Sequence, residues 1–294
     1  MTRFREDKSS HSYKMNDLYA MIGITKQAFY KRLARLKAQE ATKQYILAMA
    51  TELRKDHTKM GCRKLYDEIR PKGMGRDRVE ALLLNEGFRV PRKRSYRRTT
   101  YAGGYRYDNL LSGKILNDKH QLWVSDITYI PVGYKQFYYL TLVQDVYSKV
   151  IKGWSLSSTM ETEETVLPSL KDALKGLSEK ERKQLVFHSD RGSQYGSKEM
   201  RRLYDTFKIN PSMGGKAWEN AHAESLNGVL KNEYINFDNI SISLNQARSL
   251  MDKWIYLYNY ERPHGSLKNM KPMEFEKHLK SLSVKQRETL EIKY

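Results

Sequence analysis

After residue 120, three runs rich in aromatic and β-branched residues follow one another almost without a break: residues 121–131 (QLWVSDITYIP), 136–145 (QFYYLTLVQD) and 148–156 (SKVIKGWSL). Turn signals at Gly133 and around residues 145–147 separate them. Connections this short admit only antiparallel neighbours, because a parallel pair needs a crossover of about a dozen residues. The chain then alternates. Residues 161–177 read as an amphipathic helix with Thr162 near its start, 185–189 as a short apolar strand and 198–207 as a helix. Residues 209–212 read as a second short strand, 213–218 as a two-glycine loop and 219–234 as a helix. The order β-β-β-α-β-α-β-α predicts an α/β domain of the α+β kind, a mixed sheet with helices packed on it. One more helix is expected at 243–260, ending in YNYERPHGSL and KPMEF.

The first 120 residues have a different pattern. Residues 13–60 read as helical, with Leu18, Ile22, Ile24, Phe29 and Leu33 placed around Gly23. Gly23 supplies a φ > 0 turn between two helices, and Thr25 is a candidate N-cap for the second. This is a helix-turn-helix pattern whose second helix presents Lys26, Gln27, Tyr30 and Lys31 outward to DNA. An ordinary helical hairpin is the alternative. Phe29, Leu33, Leu36, Leu47 and Ala50 follow four-three spacing, with Glu40 and Lys43 in the intervening seam positions. Both a short dimerisation helix and a pair of core helices broken near Glu40 fit that pattern. A second helical pair follows at 62–70 and 76–85, separated by the breaker cluster 71–75 and closed by Gly87. Residues 91–100 (PRKRSYRRTT) form a basic linker in which Arg92, Lys93, Arg94, Arg97 and Arg98 can follow a DNA backbone, with Tyr96 interleaved.

Charge points to the partner. The chain carries 53 Lys and Arg against 34 Asp and Glu, a net +19. Residues 1–120 hold 28 basic and 13 acidic residues, so most of the excess lies there. Such a segment binds phosphate backbones through counterion release. No stretch approaches the ~18 consecutive apolar residues of a membrane helix, so no membrane partner is expected. The start, MTRFREDKSS, lacks the apolar run of a secretory signal. Cys62 is the only cysteine, which excludes a disulfide framework and a cysteine-based zinc cluster. An intracellular protein is expected.

Three acids carry the chemistry. Asp126 lies inside the first strand, where a carboxylate is costly unless paired, hydrogen-bonded or bound to metal. Asp190 ends the fourth strand, and with those strands adjacent the two carboxylates would sit side by side, repelling unless a cation lies between them. Glu224 sits on the helix after the glycine loop. At about 100° per residue, Asn220, Glu224, Asn227 and Lys231 share one face of that helix, while Ala223, Leu226 and Leu230 can face the sheet. Three carboxylates without a Cys or His cluster favour Mg²⁺ or Mn²⁺ over zinc. Two such ions activate a water or 3′-hydroxyl and stabilise the leaving oxygen at phosphorus.

The segments WVSDITYI, HSDRGSQY and ENAHAESLNGVLKNEY resemble the DDE motif of the insertion-sequence-three family of bacterial transposases (OrfB-type). They are similar, more distantly, to the retroviral integrase core. The resemblance covers roughly residues 60–280 and includes MGCRKLYDEI, RDRVEALL, YNYERPHGSL and KPMEF. It implies an RNase H-like catalytic core with Asp126, Asp190 and Glu224 as catalytic metal ligands. It also implies two Mg²⁺ ions, and Lys231 as the basic residue that follows the glutamate on its helix. The implied reaction is nicking of transposon ends followed by joining of the freed 3′-hydroxyl to DNA. The spacing between the second and third acids is slightly shorter than that family's, around residues 214–217. That keeps Glu219 as an alternative third acid; Glu233 fits less well because its flanks do not match. The zinc module of retroviral integrases cannot be built from one cysteine. Arg262 and His264 match the family's RPH signature, for which DNA contact and packing are both open.

The resulting expectation has five parts: residues 1–58 and 59–90 as helical DNA-binding regions, 91–119 as a basic linker, 120–238 as the catalytic core and 239–294 as a helical extension. The expected partner is double-stranded DNA, both transposon ends and target. A homo-oligomer on DNA, a separately encoded helix-turn-helix partner and a bacterial, nucleoid-associated location follow from the resemblance. A nuclease of the same fold, drawing an acid from Glu161, Glu163 or Glu164, is the first rival. A non-catalytic DNA-binding regulator is the second. His188 is read as structural, Trp123 and Trp154 as core, and Tyr256, Tyr258 and Tyr260 as core or interface rather than base-stacking residues.

Overall fold

A computed structural model describes residues 14–90, 105–133, 136–235 and 242–293. Strands β2 (Leu122–Pro131), β3 (Phe137–Asp145) and β4 (Ile151–Ser157) form the expected antiparallel meander, with Trp123 opposite Asp145 and Pro131 opposite Phe137. Strands β5 (Val186–Asp190) and β6 (Asn210–Gly214) then join β2 in parallel, giving the order β4-β3-β2-β5-β6. β2 is therefore central and covered on both faces, which is why LWVSDITYIP reads as a nearly continuous apolar run.

Helices α5 (Val166–Leu174), α6 (Glu179–Gln184) and α7 (Lys198–Phe207) belong to the crossovers between β4, β5 and β6. α5 and α7 bury Val166, Leu170, Met200, Leu203 and Tyr204 against Trp123, Ile127, Val143 and Phe187. α5 lies so close to β4 that a Cβ on Gly153 would meet the Ser169 carbonyl at 2.2 Å and the Ala173 Cβ at 2.8 Å. On the opposite face, α8 (Ala221–Glu233) and α9 (Leu244–Tyr260) pack Leu226, Leu230, Met251 and Ile255 against Ile130, Leu140, Leu142 and Ile151. Three antiparallel strands, two parallel ones reached through helices, and helices on both faces make an RNase H-like core. α10 (Pro272–Ser281) caps a third cluster through Leu279, and the short pair β1 (Ile115–Leu116) and β7 (Leu290–Glu291) closes it.

The N-terminal region is helical. α1 (Met15–Met21) turns at Gly23, which has φ +64°, into α2 (Lys26–Asp56), whose Thr25 cap accepts a hydrogen bond from Ala28 at 3.1 Å. α2 is continuous over 31 residues, so there is no break near Glu40. No Gly or Pro falls between residues 26 and 56. Glu40 also pairs with Lys43 and Gln44 within one turn, which supports the helix there. α3 (Cys62–Ile69) and α4 (Arg76–Asn85) close a small core with Ile46 and Ala50 of α2.

α5 begins at Val166 rather than at 161. Pro168 explains the delay: a proline is tolerated in the first turn, where its missing N–H costs nothing, but would break a helix that began a turn and a half earlier. No helix among the described residues is long and apolar enough to cross a membrane.

Candidate active site

Asp126 lies in mid-β2, opposite Leu142 of β3. β2 and β5 run parallel, with Val124 level with His188. The same offset, two residues on, brings Asp126 level with Asp190, where β5 ends. Adjacent strands are about 4.8 Å apart and level residues point to the same face, so the two carboxylates share one cleft. Asp190 is held in place: its Oδ1 accepts the Gly192 amide at 3.0 Å.

The third acid comes from α8. Glu224 is exposed in the first turn, and its carboxyl is raised by partial burial and then by Asp190. Asp126 is hemmed in by protein and meets solvent on one side only. Its carboxyl is pushed up to about 7, first by burial, then by Asp190, with a further contribution from Glu224. The three acids therefore act on one another electrostatically, although they come from β2, β5 and α8. Among the described residues, no three His, Cys, Asp or Glu side chains stand close enough to hold an ion as they are. Asp126 and Asp190 sit on stiff strand backbone, whereas Glu224 is exposed and reaches its neighbours through three rotatable bonds. The donor set, three hard carboxylates with excess negative charge, is of the chemical kind a divalent cation takes.

The α8 face expected to carry Asn220, Glu224, Asn227 and Lys231 is turned to this cleft. Asn227 Nδ2 donates to Asp126 Oδ2 at 2.8 Å, and Asn220 Nδ2 donates to the Ser125 carbonyl at 3.1 Å. The Lys231 ammonium is lowered by burial, with Asp126 pulling it back up. Ala223, Leu226 and Leu230 are buried on the other side. Behind Asp126, the Ser125 hydroxyl meets the wholly buried Tyr195 hydroxyl at 3.0 Å. Sequence reasoning placed Asn220 and Asn227 on the right face but missed their partners, and it missed Tyr195 altogether. Only the third dimension brings residue 195 behind residue 125.

The alternative acids are engaged elsewhere. The Glu219 carboxylate accepts the backbone amides of Gly215 and Lys216 at 2.5 and 2.9 Å, which lower its pKa. Glu233 accepts Arg262 Nε at 2.6 Å and Nη2 at 2.7 Å, with Lys64 at 3.1 Å. Glu164, a candidate in the nuclease reading, precedes α5 and accepts from Ser157 and Thr159 at 2.6 and 2.9 Å.

Arg262 and His264 were candidate DNA contacts; instead they face inward. Arg262 is 3% exposed and forks Glu233, while its Nη1 meets His264 Nε2 at 2.9 Å. A buried guanidinium with its fork occupied is not available to a phosphate. The His264 ring is pushed down to about 2 by burial and by Arg262, so it is neutral. His188 is also buried, bonded to Ser212 at 2.9 Å and pushed down to about 4 mainly by burial. Tyr258 is core, accepting from Gln144 at 2.8 Å. Tyr256 and Tyr260 stack on each other at 4.8 Å and are exposed. Lys26, Gln27 and Lys31 are exposed on the first turns of α2. Arg92, Lys93, Arg94, Arg97 and Arg98 lie outside the described residues.

Residues 117–217 match the integrase core domain, and residues 206–272 match a second integrase core domain description. A Mycobacterium tuberculosis protein named "Putative transposase for insertion sequence element IS986/IS6110" is 30% identical over 226 residues, covering 74% of this chain and 81% of the relative. Transposase InsF for insertion sequence IS3A of Escherichia coli is 27% identical, covering 92% of this chain and 96% of the relative. Among solved structures, the HTLV-2 integrase catalytic core domain in complex with magnesium aligns with a TM-score of 0.41 and 18% identity, covering 54% of this chain and 97% of that one.

Proposed function

Because this chain belongs to the insertion-sequence transposases that carry an integrase core domain, we propose that it nicks the ends of a mobile element and joins the freed 3′-hydroxyl to a second phosphodiester, with Asp126, Asp190 and Glu224 as its catalytic acids. The observation that carries the proposal is the shared cleft, where Asp126 is raised first by burial, then by Asp190, and to a lesser degree by Glu224.

In the first step, water attacks the phosphodiester at the element end and the 3′-oxygen leaves. In the second, that 3′-hydroxyl attacks another phosphorus and a second 3′-oxygen leaves, so the number of phosphodiester bonds is conserved across the joining. Two Mg²⁺ or Mn²⁺ ions, held by Asp126, Asp190 and Glu224, would lower the pKa of the attacking hydroxyl and offset charge on the leaving oxygen. The chain's own groups do the positioning. Asn227 fixes one Asp126 oxygen, and the Ile127 amide also donates to this carboxylate. Ser125, Tyr195 and Asn220 hold the backbone behind it. Lys231, two turns after Glu224 on the same helix face, offers an ammonium to a phosphate. Lys26, Gln27 and Lys31 on α2, with the basic residues 92–98, supply contacts that bind duplex DNA irrespective of chemistry.

The engagement of Glu164 with Ser157 and Thr159 favours this reading over a nuclease that recruits an acid from that segment. The test compares Glu224→Gln with Glu219→Gln on duplexes carrying the element's terminal repeat, in Mg²⁺. Glu224→Gln is expected to lose nicking and joining while retaining DNA binding; Glu219→Gln is expected to keep both steps. Retained cleavage by Glu224→Gln reassigns the third acid. A precleaved 3′-end that is never joined by the unaltered chain removes the transposase reaction itself.

A further inference from the structure

We propose that Trp218 is a stacking platform for one nucleotide that leaves the duplex beside the scissile phosphate, with Lys216 and Arg191 holding that nucleotide's backbone; the inference rests on the DNA-cutting reading above.

Of the chain's four tryptophans, Trp123 is fully buried, and Trp154 and Trp254 pack against the cluster beneath α8 and α9. Trp218 differs, being 57% exposed. It is nevertheless not on a loose tether. Residues 217–220 form a 3₁₀ turn, and Glu219 accepts the two amides at the turn's entrance. Asn220 ties the turn's end to the carbonyl of Ser125, the residue before Asp126. The ring thus stands on a ledge fastened to the strand that carries the first acid, and α8 with Glu224 begins immediately after it.

Two cations flank the ledge. The Lys216 ammonium lies over the Trp218 ring, 4.9 Å from its centroid, and the rest of the ring stays exposed for a base. Arg191 follows Asp190 directly, and its guanidinium lies under Gly215 so closely that a Cβ there would meet Arg191 Cζ at 2.6 Å. The glycine at 215 is what lets Arg191 reach the ledge. A flat indole with one cation over it and a second on the same ledge matches a nucleotide, whose base has a π-face and whose phosphate has a charge. In an intact duplex every base face is covered by its neighbours, so the ring gains a partner only when a base leaves the stack. A protein partner is disfavoured. An interface of ordinary size needs far more apolar surface than one ring, and residues 214–220 offer no other large apolar side chain.

The experiment uses the full chain with Trp218 intact, Trp218→Phe and Trp218→Ala. The probes are terminal-repeat duplexes in which the two base pairs beside the cleaved phosphate are either paired or mismatched. Unaltered chain is expected to bind the mismatched end about tenfold tighter, the size of one base–aromatic stack. Trp218→Ala is expected to lose that preference, and Trp218→Phe to keep most of it. Permanganate reactivity of thymines at the junction should rise on binding of the unaltered chain and not of Trp218→Ala. Equal preference in all three chains overturns the inference, and so does a Trp218→Ala defect of the same size on both probes. Metal-dependent joining of precleaved ends, measured in parallel, separates the two ideas. Joining that persists while the preference is absent sinks only the platform; no joining on either probe by the unaltered chain sinks the enzymatic reading with it.

Discussion

Replacing Asp126 by Asn should make the metal-free protein more stable while destroying its activity. The Asp126 carboxyl is pushed from 3.8 up to about 7 by burial, Asp190 and Glu224, so above neutrality the fold carries a charge it disfavours. A rise of roughly three pH units corresponds to ~4 kcal/mol between the protonated and ionised forms. Water reaches one side of the carboxyl and screens part of this, so a gain of ~2 kcal/mol is expected for the neutral amide. The amide oxygen can still accept from Asn227.

Between about pH 4 and 7 the folded chain binds more protons at this site than the unfolded chain, so its contribution to stability is complete at low pH and is lost as pH rises. The melting temperature of Asp126→Asn should therefore match the unaltered chain only below about pH 4, already lie above it near about pH 5, and exceed it by ~5 °C at about pH 8.5. Saturating Mg²⁺ should close much of that gap by stabilising the unaltered chain more than the variant. Calorimetry across this pH range with and without Mg²⁺ is the assay. A variant that melts at or below the unaltered chain at high pH, or a gap that does not widen with pH, refutes the reasoning.

Asn227→Leu removes a hydrogen bond that lowers the Asp126 pKa, so the acidic limb of the joining rate against pH should move to higher pH, and an unmoved limb would count against the positioning role. Glu233→Ala leaves the buried Arg262 and the half-buried Lys64 without their carboxylate, and urea unfolding should show a loss of ~3–5 kcal/mol. Burial alone would raise the Glu233 carboxyl, yet Arg262 and Lys64 hold it below its ordinary value; its stabilisation should therefore fade as pH drops through the acid range. Gly153→Ala drives a methyl into the Ser169 carbonyl and Ala173, and a destabilisation of ~1–3 kcal/mol or more is expected in the same assay.

Much of the core was legible without coordinates. Strand β2 lies within residues 121–131 as expected, α7 occupies Lys198–Phe207 as the pattern predicts, and Gly23 and Thr25 make the turn and cap assigned to them. These features rest on period, turn chemistry and capping, which act over a few residues. The expected helix start at 161 failed because Pro168 constrains the helix from inside, a local signal that was present and outweighed by amphipathic spacing.

What the chain by itself determined was therefore a list of elements and a set of side chains able to do phosphoryl chemistry. Which of its acids meet was a tertiary decision. Glu219, Glu224 and Glu233 lie within fifteen residues of one another and read alike as carboxylates, yet Glu219 caps its own loop and Glu233 is consumed by Arg262 and Lys64. Only Glu224 is left to feel Asp190. The reason is physical: a carboxylate goes where it is least desolvated for the hydrogen bonds and charges it receives; Glu219 finds them three and four residues away in its own loop, whereas those of Glu224 and Glu233 come from segments far away in the chain. The same competition turned Arg262 inward, although its sequence motif fitted a surface role equally well.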